Sequence, residues 1–315
     1  MPKVVRLLRR EKGLPARIEK INPDEPDLFL SLLSAGDMGI GSESGCINRG
    51  KLYAALGINP DRVHFLRQVH SKKILVSGSE TGNLAGPAAG GPPAAGTSTA
   101  EPAAGGPPAA GIPAAGPGPD RPEGDGLING AGDHILAVTV ADCMPIYLFH
   151  RRSGRFALLH SGWKGTGIAA EAVRIFRDRY GLPVVEISAV LGPSIRSCCY
   201  RVDEARAELF EGLWGAGSVE RRDGTGGTVG PDSPGGEFSG GFGGGVEPYL
   251  DLVTANLGAL QKIGLKDIRV VDECTACGAG RNGTAPAGGE VDLGSFRREG
   301  SESFTRMLAM IGFFN

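Results

Sequence analysis

The stretch 82–124 most limits what this chain can fold into, because it repeats the phrase PAAGGPPAAG, beginning at Pro87 and again at Pro102. Gly, Pro and Ala at that density bury too little apolar surface to offset the entropy of ordering, so a disordered surface loop is expected. The runs 215–245 and 278–289 have the same character, and none of the three is expected to carry catalytic groups. The repeat has no apolar face to stack, which excludes a solenoid. Setting these inserts aside leaves roughly 230 to 240 residues, enough for one large domain or two small ones, and one globular unit is expected.

Charge and cysteine use narrow the class. Lys and Arg number 33 against 35 Asp and Glu, a formal charge of -2, so no long-range field draws the chain to nucleic acid or to an anionic membrane. The basic N-terminus (Lys3, Arg6, Arg9, Arg10, Lys12) lacks the apolar run of roughly 7 to 15 residues of a secretory signal. No run of about 18 apolar residues predicts a membrane span. Six cysteines (Cys46, Cys143, Cys198, Cys199, Cys274, Cys277) in core-like or motif-like contexts read as reduced thiols or metal ligands. A cytoplasmic protein is expected, and the sequence specifies no oligomeric state.

Between the inserts, short apolar runs at 135–140 (ILAVTV), 146–149, 156–160, 184–191 and 268–271 read as buried strands. Helical spacing of apolar residues marks 165–180 (Ile168, Ala172, Val173, Phe176), 203–214 (Ala205, Leu209, Leu213) and 249–264 (Leu250, Val253, Leu257, Leu260). This order predicts a mixed α/β domain with helices on the outer faces of its sheets. Cys143, in Ala-Asp-Cys-Met-Pro, follows one strand, and His160, seventeen residues later, ends the next. Consecutive strands bring their ends together, so a Cys/His pair is geometrically natural there. The glycines of Gly162-Trp163-Lys164-Gly165-Thr166-Gly167 allow close approach of a ligand before a helix N-terminus. The same spacing also suits a buried apolar thiol and a satisfied core histidine.

Six phrases in order extend this reading: Gln68-Val69-His70, Asp125-Gly126-Leu127-Ile128, Ala141-Asp142-Cys143-Met144-Pro145, His160-Ser161-Gly162-Trp163-Lys164-Gly165, Leu191-Gly192-Pro193-Ser194-Ile195-Arg196-Ser197-Cys198-Cys199-Tyr200 and Ser295-Phe296-Arg297-Arg298. Together they resemble the YfiH family, also called the multicopper polyphenol oxidase or laccase-domain family, which has a human relative called FAMIN. The likeness covers 47–315 apart from the inserts, with 1–46 as an N-terminal segment leading into the domain. It implies an α/β/β/α layered fold and a zinc held by His70, Cys143 and His160. It also implies action on purine nucleosides: phosphorolysis of adenosine, inosine and methylthioadenosine, and deamination of adenosine. Three N/N/S ligands leave a tetrahedral zinc one open position, which can hold a water for hydrolytic chemistry.

Phosphorolysis needs in addition a cationic cradle for phosphate and acid/base groups near the ribosyl bond. Arg49, in an Asn-Arg phrase of the family type, and Lys164 are the candidates for the cradle. Asp125 and Asp142 are the acid/base candidates, and Gln68 is a polar positioning group. Each has a structural alternative: a turn cap for Asp125, orientation of a ligand for Asp142, surface charge for the two cations. Thr305-Arg306 replaces the family's usual Gly-Arg, and Arg201 follows Tyr200 in place of Glu. Cys198-Cys199 reads as packing, and Cys274-Thr275-Ala276-Cys277 has redox spacing without a following helix.

Three other functions compete. A copper-dependent polyphenol oxidase with a full multicopper complement needs roughly ten histidines, and the chain has five. A Cys-His hydrolase would use Cys143 as nucleophile and His160 as base, with no need of His70. A non-catalytic binding protein could retain the same fold. The zinc signature of nucleobase deaminases is missing, since Lys72 stands where His-x-Glu requires the acid.

Overall fold

Met144–His150 is apolar at nearly every position because it is covered on both faces. Met144, Ile146 and Leu148 enter one core, while Tyr147 and Phe149 enter a second. The computed structural model describes residues 2–77, 121–130, 134–223, 246–280 and 291–314. Its early strands are β1 (Lys3–Val5), β2 (Leu7–Leu8), β3 (Ala16–Ile18), β4 (Asp27–Leu30), β5 (Val63–His64), β6 (Ile74–Ser77) and β7 (Gly126–Asn129). A central group follows: β8 (Ile135–Val140), β9 (Met144–His150), β10 (Arg155–Ser161) and β11 (Ile187–Leu191). The last strands are β12 (Val219–Asp223), β13 (Val246–Leu250), β14 (Asp267–Val271) and β15 (Met307–Gly312). The helices are α1 (Glu43–Leu56), α2 (Ile168–Tyr180), α3 (Glu204–Trp214), α4 (Leu252–Lys262) and the single turn α5 (Phe296–Glu299).

Two mixed sheets stack face to face. The seven-stranded sheet runs β1-β14-β11-β9-β10-β7-β6 and the six-stranded sheet β2-β3-β4-β15-β8-β5, with β12-β13 as a separate hairpin. Tyr147, Phe149, Phe156 and Leu158 of the first sheet pack on Leu30, Leu136, Val138 and Ala309 of the second. The Tyr147 hydroxyl crosses the interface to donate to the Phe29 carbonyl at 3.1 Å. On the outer face of the larger sheet lie Ala172, Val173 and Phe176 of α2 with Leu252, Val253 and Leu260 of α4. Leu52 and Tyr53 of α1 cover the outer face of the smaller sheet. The chain is therefore the mixed α/β, α/β/β/α layered domain expected from its sequence.

The N-terminal segment is integral to both sheets: β1 lies beside β14, and β2 to β4 form half of the smaller sheet. Helix α1 spans the 46/47 boundary. Glu25 makes a bidentate ion pair with the buried Arg269 of β14, both bonds 2.8 Å, anchoring this segment to the larger sheet.

Local details differ from the sequence expectations for physical reasons. The helix expected at 249–264 begins at Leu252, because Tyr249 and Leu250 pair with Glu220 and Val219 in a hairpin and Asp251 caps the helix by accepting from the Thr254 amide at 2.9 Å. After Pro183, Val184–Glu186 forms a 3-10 turn and the strand starts at Ile187. The run 215–245 begins with a 3-10 turn, Ala216–Ser218, and then strand β12, so part of that insert is ordered structure. Residues 121–124 and 278–280 of the other two inserts are also ordered, Glu123 forming a bridge with Arg67. The rest of the inserts lies outside the described residues, and with it their expected disorder: 78–120 falls between the parallel strands β6 and β7, 224–245 between β12 and β13, and 281–290 between β14 and α5. Among the described residues no helix is long and apolar enough to cross a membrane.

Candidate metal centre

Antiparallel register brings the cluster together. Strands β9 and β10 pair with Ser161 opposite Met144 and His160 opposite Pro145, so Cys143 and Gly162 meet at the open end of the hairpin. Leu159 pairs with Gly126 on the other side, and the His160 amide donates to the Asp125 carbonyl at 2.7 Å. Strand β6 runs parallel to β7 and carries the 68–73 loop to the same sheet edge. There the ligand atoms of His70, Cys143 and His160 lie within 4.8 Å of one another. The His70 and His160 rings are edge to face, centroids 5.0 Å apart. His160 is buried, Cys143 half-buried and His70 exposed, so the cluster opens to solvent on its His70 side.

Asp125 organises this arrangement. Its Oδ1 accepts from His160 Nδ1 at 2.8 Å and from the His70 amide at 3.0 Å. Its Oδ2 accepts from the Ser71 amide at 2.6 Å, the Ser71 hydroxyl at 2.8 Å and the Val69 amide at 3.3 Å. These bonds hold His70 in a left-handed conformation, φ 56°, which is unusual for a residue with a Cβ. With Nδ1 of His160 committed to a carboxylate, its Nε2 is left for a metal or for the Cys143 thiol, the carboxylate–histidine arrangement of metal sites.

The electrostatics match. Burial raises the carboxyl pKa of Asp125, but hydrogen bonds from His160 and Ser71 outweigh it and hold the group at about 2. Burial likewise opposes a Cys143 thiolate, yet the charge of His160 and hydrogen bonds from both histidines pull the thiol down to about 6. Burial lowers His160, while Cys143 and Asp125 lift it to about 9. Without a metal the pair is thus a thiolate beside an imidazolium. A divalent cation that displaces the imidazolium proton meets an N/N/S donor set with one anionic sulfur, and these residues fit zinc.

Gly162 is required by close approach, since a Cβ there would stand 2.8 Å from Cys143 Sγ and 3.7 Å from His70 Cδ2. Gly162→Ala is expected to displace the sulfur and weaken metal binding about tenfold while the fold persists. Competition with a chromophoric chelator checks this, and unchanged affinity would remove the close-packing argument.

The remaining candidate residues are dispersed. The Gln68 amide pairs with β8, Nε2 donating to the Thr139 carbonyl at 2.8 Å and Oε1 accepting from the Thr139 amide and hydroxyl at 2.8 and 2.9 Å. Asp142, at φ 82°, accepts from Thr275 Oγ1 and the Arg297 amide, both at 2.7 Å, and burial raises its carboxyl pKa. Arg49 is buried and donates through Nη1 to the carbonyls of Met38 and Gly39 at 2.8 and 2.6 Å, a tie between α1 and the turn before it. Lys164 lies over the Trp163 ring at 5.4 Å and lines a cavity of about 220 Å³ with Lys72, Thr166, Phe210 and Trp214. A second cavity, of about 280 Å³, is lined by Gln68, Thr139, Arg67, Arg121 and Arg306. Sequence reasoning missed Ser71 and Lys72, whose only signal was proximity to His70. It also missed the convergence of Cys198, Cys199, Cys274 and Cys277.

Fold and cluster together define a layered α/β domain with His/Cys/His donors, able to take a metal ion, at one sheet edge. A family model described as multi-copper polyphenol oxidoreductase laccase matches residues 41–313, and the chain belongs to this family. It is similar to the purine nucleoside phosphorylase YlmD of Geobacillus stearothermophilus, 39% identical over 85 residues, 26% of this chain and 31% of that protein. It is also similar to the adenosine deaminase RL5 of an unknown prokaryotic organism, 38% identical over 88 residues, 28% of this chain and 34% of that protein. The aligned segments thus span about a third of these relatives' length. The fold is that of Bacillus licheniformis YfiH, with a TM-score of 0.67 at 23% identity, covering 97% of this chain and 98% of that one.

Proposed function

We propose that the chain is a zinc-dependent purine nucleoside phosphorylase, acting on adenosine, inosine and methylthioadenosine, with adenosine deaminase activity as a second reaction. The observation that carries this reading is the convergence of His70, Cys143 and His160 with Asp125 behind His160. The names of the similar proteins support the same chemistry. A zinc held there supplies Lewis acidity with one coordination position open to substrate. The free thiols suit a reducing compartment such as the cytoplasm.

In phosphorolysis a phosphate oxygen bonds to the ribose C1′ as the C1′–N9 bond breaks, and the purine leaves with the electron pair and takes up a proton. Lys164 and Lys72 line the cavity that follows the His70 loop and are assigned to the phosphate side. Arg49 lines neither cavity, and we assign it to holding α1. Trp163 and Trp214 give that cavity aromatic faces for a purine. Asp125 positions His160 and the His70 loop, since donors occupy both its oxygens. Asp142 supports Cys143 from the adjacent position, and Gln68 fixes the start of the loop to β8.

The thiolate–imidazolium pair of Cys143 and His160 also fits a Cys-His hydrolase, and His70 separates the two, because a metal needs it and a dyad does not. Two His and one Cys are also the donors of a blue-copper centre, so metal analysis belongs in the same experiment. The purified protein is expected to carry zinc and to release adenine or hypoxanthine and ribose 1-phosphate only with phosphate, and ammonia from adenosine without it. Zinc-loaded protein releasing neither base nor ammonia would overturn the proposal.

A further inference from the structure

Outside the centre just described, a second group of sulfur ligands sits on the same edge of the larger sheet. Strands β11 and β14 are parallel neighbours, with Leu191 opposite Val270, so the loops that follow them emerge side by side. Because β11 runs antiparallel to β9, with Leu191 opposite Ile146, that edge is also the Cys143 edge. The two loops are stitched by a bridge between Ser194 and Cys274, in which the Thr275 amide donates to the Ser194 carbonyl at 3.1 Å. The first loop carries Cys198 and Cys199, the second Cys274 and Cys277. Their four sulfurs lie within 4.8 Å of one another, Cys198 and Cys277 at 3.5 Å, and all four are free thiols.

Four thiolates about 2.3 Å from a zinc stand about 3.8 Å apart along the edges of a tetrahedron, so these sulfurs need only small adjustments. The second loop has the shape such a site uses. Cys274-Thr275-Ala276-Cys277-Gly278 is Cys-x-x-Cys closed by a glycine at φ 73°, whose amide donates to the Cys274 carbonyl at 2.8 Å. Four small hydrophobes packed for burial alone would not require this turn.

We propose that Cys198, Cys199, Cys274 and Cys277 form a second metal site, a closed tetrathiolate for zinc. Four protein ligands leave no open position, so the site is structural. It fixes the two loops against the Cys143 strand: the Thr275 hydroxyl holds Asp142 at 2.7 Å, Asp142 accepts from the Ile195 amide through its carbonyl at 2.9 Å, and Arg298 donates to the Thr275 and Ala276 carbonyls at 2.7 and 3.1 Å. The site does not depend on the reaction assigned to the first centre.

Full-length protein isolated with zinc is expected to contain two equivalents per chain. A His70→Ala/Cys143→Ala double variant is expected to keep one, and a Cys198→Ser/Cys277→Ser double variant to lose that one. Should the latter fail to fold, the His70→Ala/Cys143→Ala protein loaded with cobalt(II) gives the independent readout. Intense visible bands with sulfur-to-cobalt charge transfer are expected of four thiolates. Zinc-free His70→Ala/Cys143→Ala protein lacking those bands would overturn the proposal. So would a disulfide among the four cysteines, mapped by mass spectrometry after alkylation without reductant, or iron with inorganic sulfide in place of zinc.

Discussion

Cys143→Ala is expected to lower phosphate-dependent nucleoside turnover on the order of a thousandfold and to remove one equivalent of zinc. The size of the effect follows from the donor set, in which Cys143 contributes the only anionic ligand beside two imidazoles. Its thiol is already drawn to about 6 in the absence of metal, because His160 and His70 together outweigh the cost of burial. Removing the sulfur leaves two histidines that cannot hold zinc on their own at ordinary concentrations. Cys46→Ala, at an exposed position of α1, is the matched control and should change neither quantity. Full metal content in Cys143→Ala would sink the ligand assignment, and undiminished turnover with the metal lost would sink the proposed chemistry.

Asp125→Asn tests the carboxylate that positions both histidines, and zinc affinity is expected to fall roughly 10- to 100-fold. The amide can accept at one atom only and turns its NH2 toward amides that are themselves donors. The same carboxylate makes metal-free stability depend on pH. Burial opposes its charge, but His160 and Ser71 hold its pKa at about 2, below the unfolded value of about 3.9. A depressed carboxyl contributes stability that is complete above the unfolded pKa and is lost as pH falls through the folded one. On the order of 2 kcal/mol should therefore disappear between about pH 5 and pH 2. His160, raised to about 9, acts in the opposite sense: its contribution is complete below the unfolded pKa and lost as pH rises through 9. Urea unfolding of metal-free wild type and Asp125→Asn across the acid range separates the two groups. Parallel acid limbs in both proteins would rule out the role given to Asp125.

Local pattern carried much of the architecture. Strands β8, β9 and β10 and helix α2 are visible as apolar runs and 3.6-residue spacing, because such periodicities report which side of an element is buried. Helix α4 lies within its expected span and starts three residues later, while α3 forms where expected with another face inward: Ala207 and Phe210 are buried, whereas Leu209 and Leu213 of the expected stripe are exposed. The Cys143/His160 pair was visible for a related reason: consecutive antiparallel strands must bring these ends together. The place of His70 came from the family resemblance, since it stands 55 positions, and the whole of the first insert, before the Asp125 that holds it.

What only the tertiary structure decided was which polar groups are engaged and with whom. Arg49 and Gln68 have the chemistry of site residues, but packing turns them onto backbone carbonyls and a neighbouring strand. Asp125 has the chemistry of an acid and is saturated by five donors. Cys198-Cys199 and Cys274-x-x-Cys277 are unremarkable as separate phrases, and they converge because β11 and β14 are parallel neighbours. The sequence by itself determined five of the strands, three of the helices, the position of the inserts and one adjacent Cys/His pair. Strand order and register then carried distant loops to a single sheet edge, since pairing between segments far apart in the chain depends on the whole packed core and leaves no local periodicity to read.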